Sequence, residues 1–291
     1  MKIALFGNEF SQNYVKYIKH LIQKLEDKNI VILIHQQFFD FLQESIDFND
    51  SIQIFERISK QDNIDFLFSI GGDGTLLRAV TYVRESNIPI LGINTGRLGF
   101  ISSVSTDQID DAVDNVLNGN YKIRSRTVLE LATENNLFGT TNFALNEVAI
   151  VKKDTSSMIR VDAFIDDEFL NSYWADGLLI STPTGSTGYS LSCGGPIILP
   201  GTKNIIIAPI APHNLNVRPI IINEKSVIRL KVEDRDQLAL VSLDSRSRAF
   251  DSSFELTIKK ANFKIKLIEP KDTSFITTIR TKLMWGSDKR N

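Results

Sequence analysis

The sequence predicts an α/β N-terminal domain, a parallel sheet with helices on both faces, followed by a β-rich C-terminal domain. Over the first hundred residues, apolar strand-like runs alternate with helical patterns, the order that closes into a parallel sheet. From Tyr121 onward the helical period gives way to apolar residues at every second position, separated by turns. At 291 residues the chain suits two modest domains. The expected divisions are 1–120, 121–270 and a C-terminal segment 271–291 that packs back on the first domain.

The elements follow in order. A first strand covers 2–7. Tyr14, Tyr17, Ile18, Leu21, Ile22 and Leu25 recur at 3–4 spacing and predict a helix over about 13–27. A strand at 30–35 and a helix near 38–45 come next. The apolar run 64–70 leads through glycines into an amphipathic stretch, and 88–93 reads as a buried strand. A helix spans roughly 106–118, with Thr106 as N-cap, Asp107, Asp110 and Asp111 at its positive end, and Gly119 ending it. In the second half, 158–165, 226–232, 254–259 and 263–268 alternate as half-buried strands. In the tail, Leu283, Met284 and Trp285 are expected to pack back while the last few residues fray.

Composition narrows the function. Hydrophobic content of 42% and charged content of 23% fit an ordinary globular protein. The net charge of −2 gives no reason to expect nucleic acid or a membrane surface. No apolar run approaches a membrane span, and the N-terminus does not read as a signal peptide. The single cysteine, Cys193, fits a reducing cytoplasm and reads as a small structural residue. Three scattered histidines, His20, His35 and His213, do not form a metal site.

Two glycine clusters carry the chemistry. Gly71-Gly72-Asp73-Gly74-Thr75 joins a strand to a helix, so free backbone N–H groups lie at the positive end of a helix dipole. A carboxylate beside bound phosphates repels them unless it binds a metal or takes a proton from an attacking hydroxyl, so Asp73 points to phosphoryl transfer. The plainer reading is a tight turn in which Asp73 caps the helix. Neither the P-loop nor the Gly-x-Gly-x-x-Gly pattern occurs. The second cluster, Thr182 to Ser192, is dense in hydroxyls that can grip a sugar, an amide or a phosphate, or else form a polar surface loop. Asp176 opens that stretch. Between the clusters lie Asn94 to Phe100 and the pair Asn146-Glu147, set within an apolar run. Such a pair needs either a ligand or a neighbouring backbone to satisfy it.

These four segments, in this order, resemble the NAD kinase family over about residues 65–219. The resemblance implies transfer of the γ-phosphoryl of ATP to the 2′-hydroxyl of the adenosine ribose of NAD, giving NADP. It implies Asp73 as the base, and Gly71, Gly72, Gly74 and Thr75 as the phosphate-donor loop. Mg²⁺ would be held largely through phosphates, with no tightly bound protein-ligated metal. The implied NAD-binding residues are Asp73, Gly74, Arg78, Phe100, Asn146, Glu147, Trp174, Asp176, Thr184, Thr187, Gly188, Tyr189, Ser190, Leu191, Ser192 and Arg246. Asn146 and Glu147 would take the adenosine half and Asp176 the nicotinamide end, in a cleft between the domains. The partners implied are NAD and ATP or another phosphoryl donor, in a cytoplasmic homodimer or homotetramer. Gly188 stands where the family often has alanine, Trp174 where a smaller or polar residue is frequent, and Arg246 where an uncharged polar residue is common. A lipid kinase shares the glycine-aspartate turn but needs an apolar channel or a basic amphipathic helix. A dinucleotide-binding regulator is the non-enzymatic alternative.

Overall fold

A computed structural model of the chain describes all residues except 9–10, 97–98, 154–157, 235–236, 272–273 and 287–291. The expected fraying of the last residues therefore lies outside the described residues, as do Arg97 and Leu98 of the segment 94–100. The chain divides into two compact units, 1–125 with 265–291, and 126–264.

The first unit is built on a sheet ordered Gln53–Phe55, Val31–His35, Lys2–Gly7, Phe66–Ile70, Ile90–Asn94, Ile265–Pro270 and Tyr121–Arg126. The pairings of the first five strands are parallel, and Leu267 pairs parallel with Ile90. The strand 265–270, read from sequence as part of the second domain, thus completes the first. The helix Val15–Asp27 buries Val15, Ile18, Leu21, Ile22 and Leu25, the 3–4 spacing that predicted it. The helix expected near 38–45 forms earlier, over Gln36–Leu42.

One cap differs from expectation. Ser105, not Thr106, caps the segment, through a capping box with Gln108 around a 3₁₀ turn that precedes the helix Ile109–Leu117. Gln108 lies three residues past Ser105, so its side chain reaches the Ser105 backbone N–H at 3.2 Å, a reach that Thr106 lacks. The last helix, Phe275–Lys282, belongs to the first unit and buries Ile279. Leu283 is half-buried, but Met284 and Trp285 are exposed rather than packed back, because the helix ends at Lys282 and leaves few apolar neighbours for the residues beyond.

The second unit holds two six-stranded antiparallel sheets. Val148, Ile150, Leu178 and Ile180 of one share a core with Val161, Ala163, Leu230 and Ile258 of the other. The chain passes between the two sheets several times, and one of these crossings carries the Asn-Glu pair. Phe143–Ala144 belongs to one sheet and Glu147–Lys152 to the other, so the chain crosses between them through Leu145 and Asn146. Asn146 therefore stands at a break between strands and Glu147 opens the next, so the pair does not lie in the middle of one. No helix among the described residues is long and apolar enough to cross a membrane.

Candidate active site

The glycine turn forms where the buried strand Phe66–Ile70 ends and the helix Asp73–Val83 begins. Its glycines serve different ends. Gly71 adopts φ +143°, and a Cβ there would lie 2.3 Å from the Thr75 hydroxyl. Gly72 and Gly74 are exposed, and a Cβ on either would face open space. The backbone N–H groups of Gly72, Asp73 and Gly74 have no acceptor among the described residues. They are the orphan donors of a helix start, aimed where a phosphate can accept them.

Asp73 turns its carboxylate into the neighbouring loop. Oδ2 accepts the Phe100 N–H at 2.8 Å, and Oδ1 accepts those of Ile101 at 3.2 Å and Ser102 at 2.9 Å. The Ser102 hydroxyl donates to the Gly71 carbonyl at 3.2 Å, tying that loop to the turn. Gly99 is obligatory, since a Cβ there would sit 1.7 Å from Asp73 Oδ1. Three of the four lone-pair positions of the carboxylate are used, which fixes its orientation and leaves one on Oδ2. Asp73 is thus more than a helix cap. Phe100 is half-buried, with the Lys282 ammonium 4.7 Å from its ring centre. Arg78 is exposed and lines a cavity of about 780 Å³ beside Gly7 and Asn8.

In the second unit a matching device holds the sheet crossing. Asp244 accepts the N–H groups of Leu145, Asn146 and Glu147 at 2.9, 2.8 and 3.1 Å. The guanidinium of Arg246 donates to the carbonyls of Thr141 and Phe143 and lies over the Phe143 ring. Arg246 is therefore engaged with backbone, and burial holds its basicity below the usual range. Sequence reading assigned Asp244 no role. Its only signal was a turn between two alternating strands, where it adopts φ +53°.

Three polar atoms at and beside this crossing lack partners among the described residues. Asn146 Oδ1, Glu147 Oε2 and Ser190 Oγ are buried without hydrogen bonds. Buried polar atoms in that state are costly, and a ligand removes the cost. Burial, then the charge of Asp244, pushes Glu147 up to about 8, against the backbone amide of Tyr189. Burial also raises Asp244, against the pull of its three backbone donors and of Arg246. Gly188 fits among these groups. A Cβ there would meet Glu147 Oε2 at 3.1 Å and Asn146 Nδ2 at 3.3 Å.

Much of the hydroxyl-rich loop is spent on itself. The hydroxyls of Ser181, Thr182, Ser186 and Thr187 donate to backbone carbonyls at 145–146 or within the loop. Gly185 packs against Asn146, its would-be Cβ 2.3 Å from that carbonyl oxygen. Thr184 is buried, Leu191 half-buried, and Tyr189 and Ser192 are exposed. Burial raises the Tyr189 hydroxyl, aided by Cys193, Asp176 and Glu147, so these groups share one neighbourhood. Burial likewise raises the Cys193 thiol, which suits a structural residue and not a nucleophile. Asp176 pairs with the Lys152 ammonium at 2.6 Å, a partner that the sequence did not suggest. Trp174 is exposed, and its carbonyl accepts the backbone N–H of His213 at 2.8 Å.

A strand-to-helix glycine turn with a fixed carboxylate, on an α/β unit, defines an enzyme of the phosphotransferase class. The sequence profile of the ATP-NAD kinase N-terminal domain matches residues 3–121, and that of the C-terminal domain matches 145–270. The chain is 48% identical to the NAD kinase of Cytophaga hutchinsonii and 47% identical to that of Flavobacterium johnsoniae, each over the full length of both chains. The crystal structure of an NAD kinase from Archaeoglobus fulgidus in complex with ATP matches with a TM-score of 0.75 at 25% identity, covering 98% of this chain and 99% of that one. Yeast NADH kinase complexed with NADH shares the fold, with a TM-score of 0.87 at 24% identity over 99% and 88%. The chain belongs to the NAD kinase family. Its reaction is transfer of the γ-phosphoryl of ATP to the 2′-hydroxyl of the adenosine ribose of NAD, giving NADP.

Proposed function

We propose that Asp73 is the catalytic residue, accepting the proton of the 2′-hydroxyl on the lone-pair position left open on Oδ2. The observation that carries this is the carboxylate held by three consecutive backbone N–H groups at the start of a helix. A ribose hydroxyl ionises far above neutral pH, so positioning and charge neutralisation supply most of the acceleration. The N–H groups of Gly72, Asp73 and Gly74 hold phosphate oxygens, with Gly71 and Thr75 setting the turn and Arg78 adding positive charge.

Asn146, Glu147 and Ser190 take the adenosine half of NAD. A protonated Glu147 offers one donor and one acceptor, which is what a ribose hydroxyl needs. Asp176, oriented by Lys152, accepts from the nicotinamide carboxamide. Tyr189 supplies a face for stacking, Thr187, Gly188 and Ser192 line the same pocket, and Thr184 and Leu191 shape its floor. Trp174 and Phe100 contribute walls. Arg246 acts through the backbone it holds.

No three His, Cys, Asp or Glu side chains converge among the described residues. A Mg²⁺ bound through the donor phosphates would neutralise charge developing on their oxygens. The family supports a cytoplasmic homodimer or homotetramer. Purified protein with Mg-ATP and NAD, coupled to an NADP-specific dehydrogenase, tests the reading. It predicts donor-dependent NADPH formation proportional to protein, and absence of that signal contradicts it.

A further inference from the structure

The cavity of about 780 Å³ in the first unit is, apart from Arg78, unused by the roles above. It lies at the point where the sheet's order reverses. From Lys2–Gly7 the chain builds strands toward one edge, then returns to lay Phe66–Ile70 on the other side. In open α/β sheets, ligands settle beyond the carboxyl ends of strands at such a point. Gly7 and Asn8 continue the first strand into the cavity wall, and Gly7 pairs in register with Ile70, the residue before the glycine turn. The Asn8 amide donates to the Thr75 hydroxyl at 3.4 Å. The cavity and the turn therefore share a wall.

Its charges are arranged in two parts. Arg78 comes from the helix that starts at the turn, while Asp40, Phe41 and Glu44 come from the end of the helix Gln36–Leu42 and the residues after it. Asp40 and Glu44 are exposed, and Asp40 accepts the Gln36 amide at 2.8 Å. Two carboxylates repel a polyphosphate but accept from vicinal hydroxyls, and the half-buried Phe41 offers apolar area to a base.

We infer that this cavity takes the nucleoside end of the phosphoryl donor, with its ribose hydroxyls on Asp40 and Glu44, its base against Phe41, and Arg78 at the phosphate end. The inference rests on the proposed role of the glycine turn as the phosphate site. It makes the carboxylates the determinants of donor choice, without a part in NAD binding.

The test compares ATP with 2′,3′-dideoxy-ATP in wild type and in D40N/E44Q. Wild type is expected to prefer ATP by about tenfold in kcat/KM, and the double variant to lose that preference while keeping its KM for NAD and its melting temperature. Equal use of the two donors by wild type, or an undiminished preference in the variant, overturns the inference. Calorimetric titration with the same two nucleotides reads the cavity without turnover. A protein that discriminates the nucleotides by binding but forms no NADP contradicts the proposed catalytic role and leaves the cavity assignment standing.

Discussion

Asp244 grips the backbone of Glu147 and repels its side chain. The carboxylate accepts the Glu147 N–H at 3.1 Å, and its charge adds to the burial that pushes the Glu147 carboxyl up to about 8. Asp244 thus places this group and adds to the burial that keeps it protonated at neutral pH.

This makes stability depend on pH in a stated direction. Glu147 holds its proton to about 8 when folded, against an ordinary value of 4.5. Between these values the native state binds more protons, so the contribution is fully present below 4.5 and is lost as pH rises through about 8. In Glu147→Gln that slope is absent. Relative to wild type, the variant is expected to gain stability between pH 5 and pH 9, on the order of 4 kcal/mol. Melting curves across that range check it, and a gap that stays constant removes Glu147 as the titrating group.

Arg246 holds two carbonyls ahead of the crossing, and its removal leaves them without that donor. Arg246→Ala is expected to cost about 2–4 kcal/mol of stability. At a temperature where the variant is folded, KM for NAD should rise several-fold with a smaller change in kcat. A variant that melts like wild type and binds NAD normally would show that the guanidinium holds nothing of consequence.

Gly99 leaves no room for a methyl group beside Asp73. Gly99→Ala must displace the carboxylate or the loop that donates to it, and an ångström of misplacement costs about a hundredfold in rate. Steady-state kinetics should show that loss in kcat with NAD binding nearly intact. Retention of full turnover would show that the observed seat of Asp73 is not the working one.

A metal carried on phosphates leaves a mark in chelation. Excess EDTA is expected to abolish turnover and leave the melting temperature of the nucleotide-free protein unchanged, because the proposed metal arrives with the nucleotide. A fall in melting temperature on chelation would point to a resident metal.

The first half of the molecule was legible because its signals are local. The strand, glycines and helix around Asp73 are contiguous, and the period of Val15–Asp27 is a pattern within one element. Strands of the second half were legible for the same reason. The three bonds of Asp244 were not, because they join residues 97 to 99 positions apart and nothing near Asp244 marks a partner. The density of hydroxyls in 182–192 suggested ligand contacts, yet those of Thr182, Ser186 and Thr187 donate to backbone carbonyls. A sequence shows how many hydroxyls a loop carries, whereas only the fold shows which ones its own carbonyls consume. Strand 265–270 was misplaced for a related reason. Alternation reports a strand, but the sheet it joins depends on a contact with Ile90, far away in sequence.

The measurement that bears most directly on the account is Asp73→Asn, with kcat from the coupled assay and the NAD dissociation constant from calorimetry on the same preparation. Asparagine keeps the size and, through its amide oxygen, the bonds from Ile101 and Ser102, but sets an NH₂ against the Phe100 N–H, and proton acceptance is lost. The account predicts a fall in kcat of about 10²-fold or more with NAD affinity changed by less than about threefold. Turnover within a few-fold of wild type would contradict it.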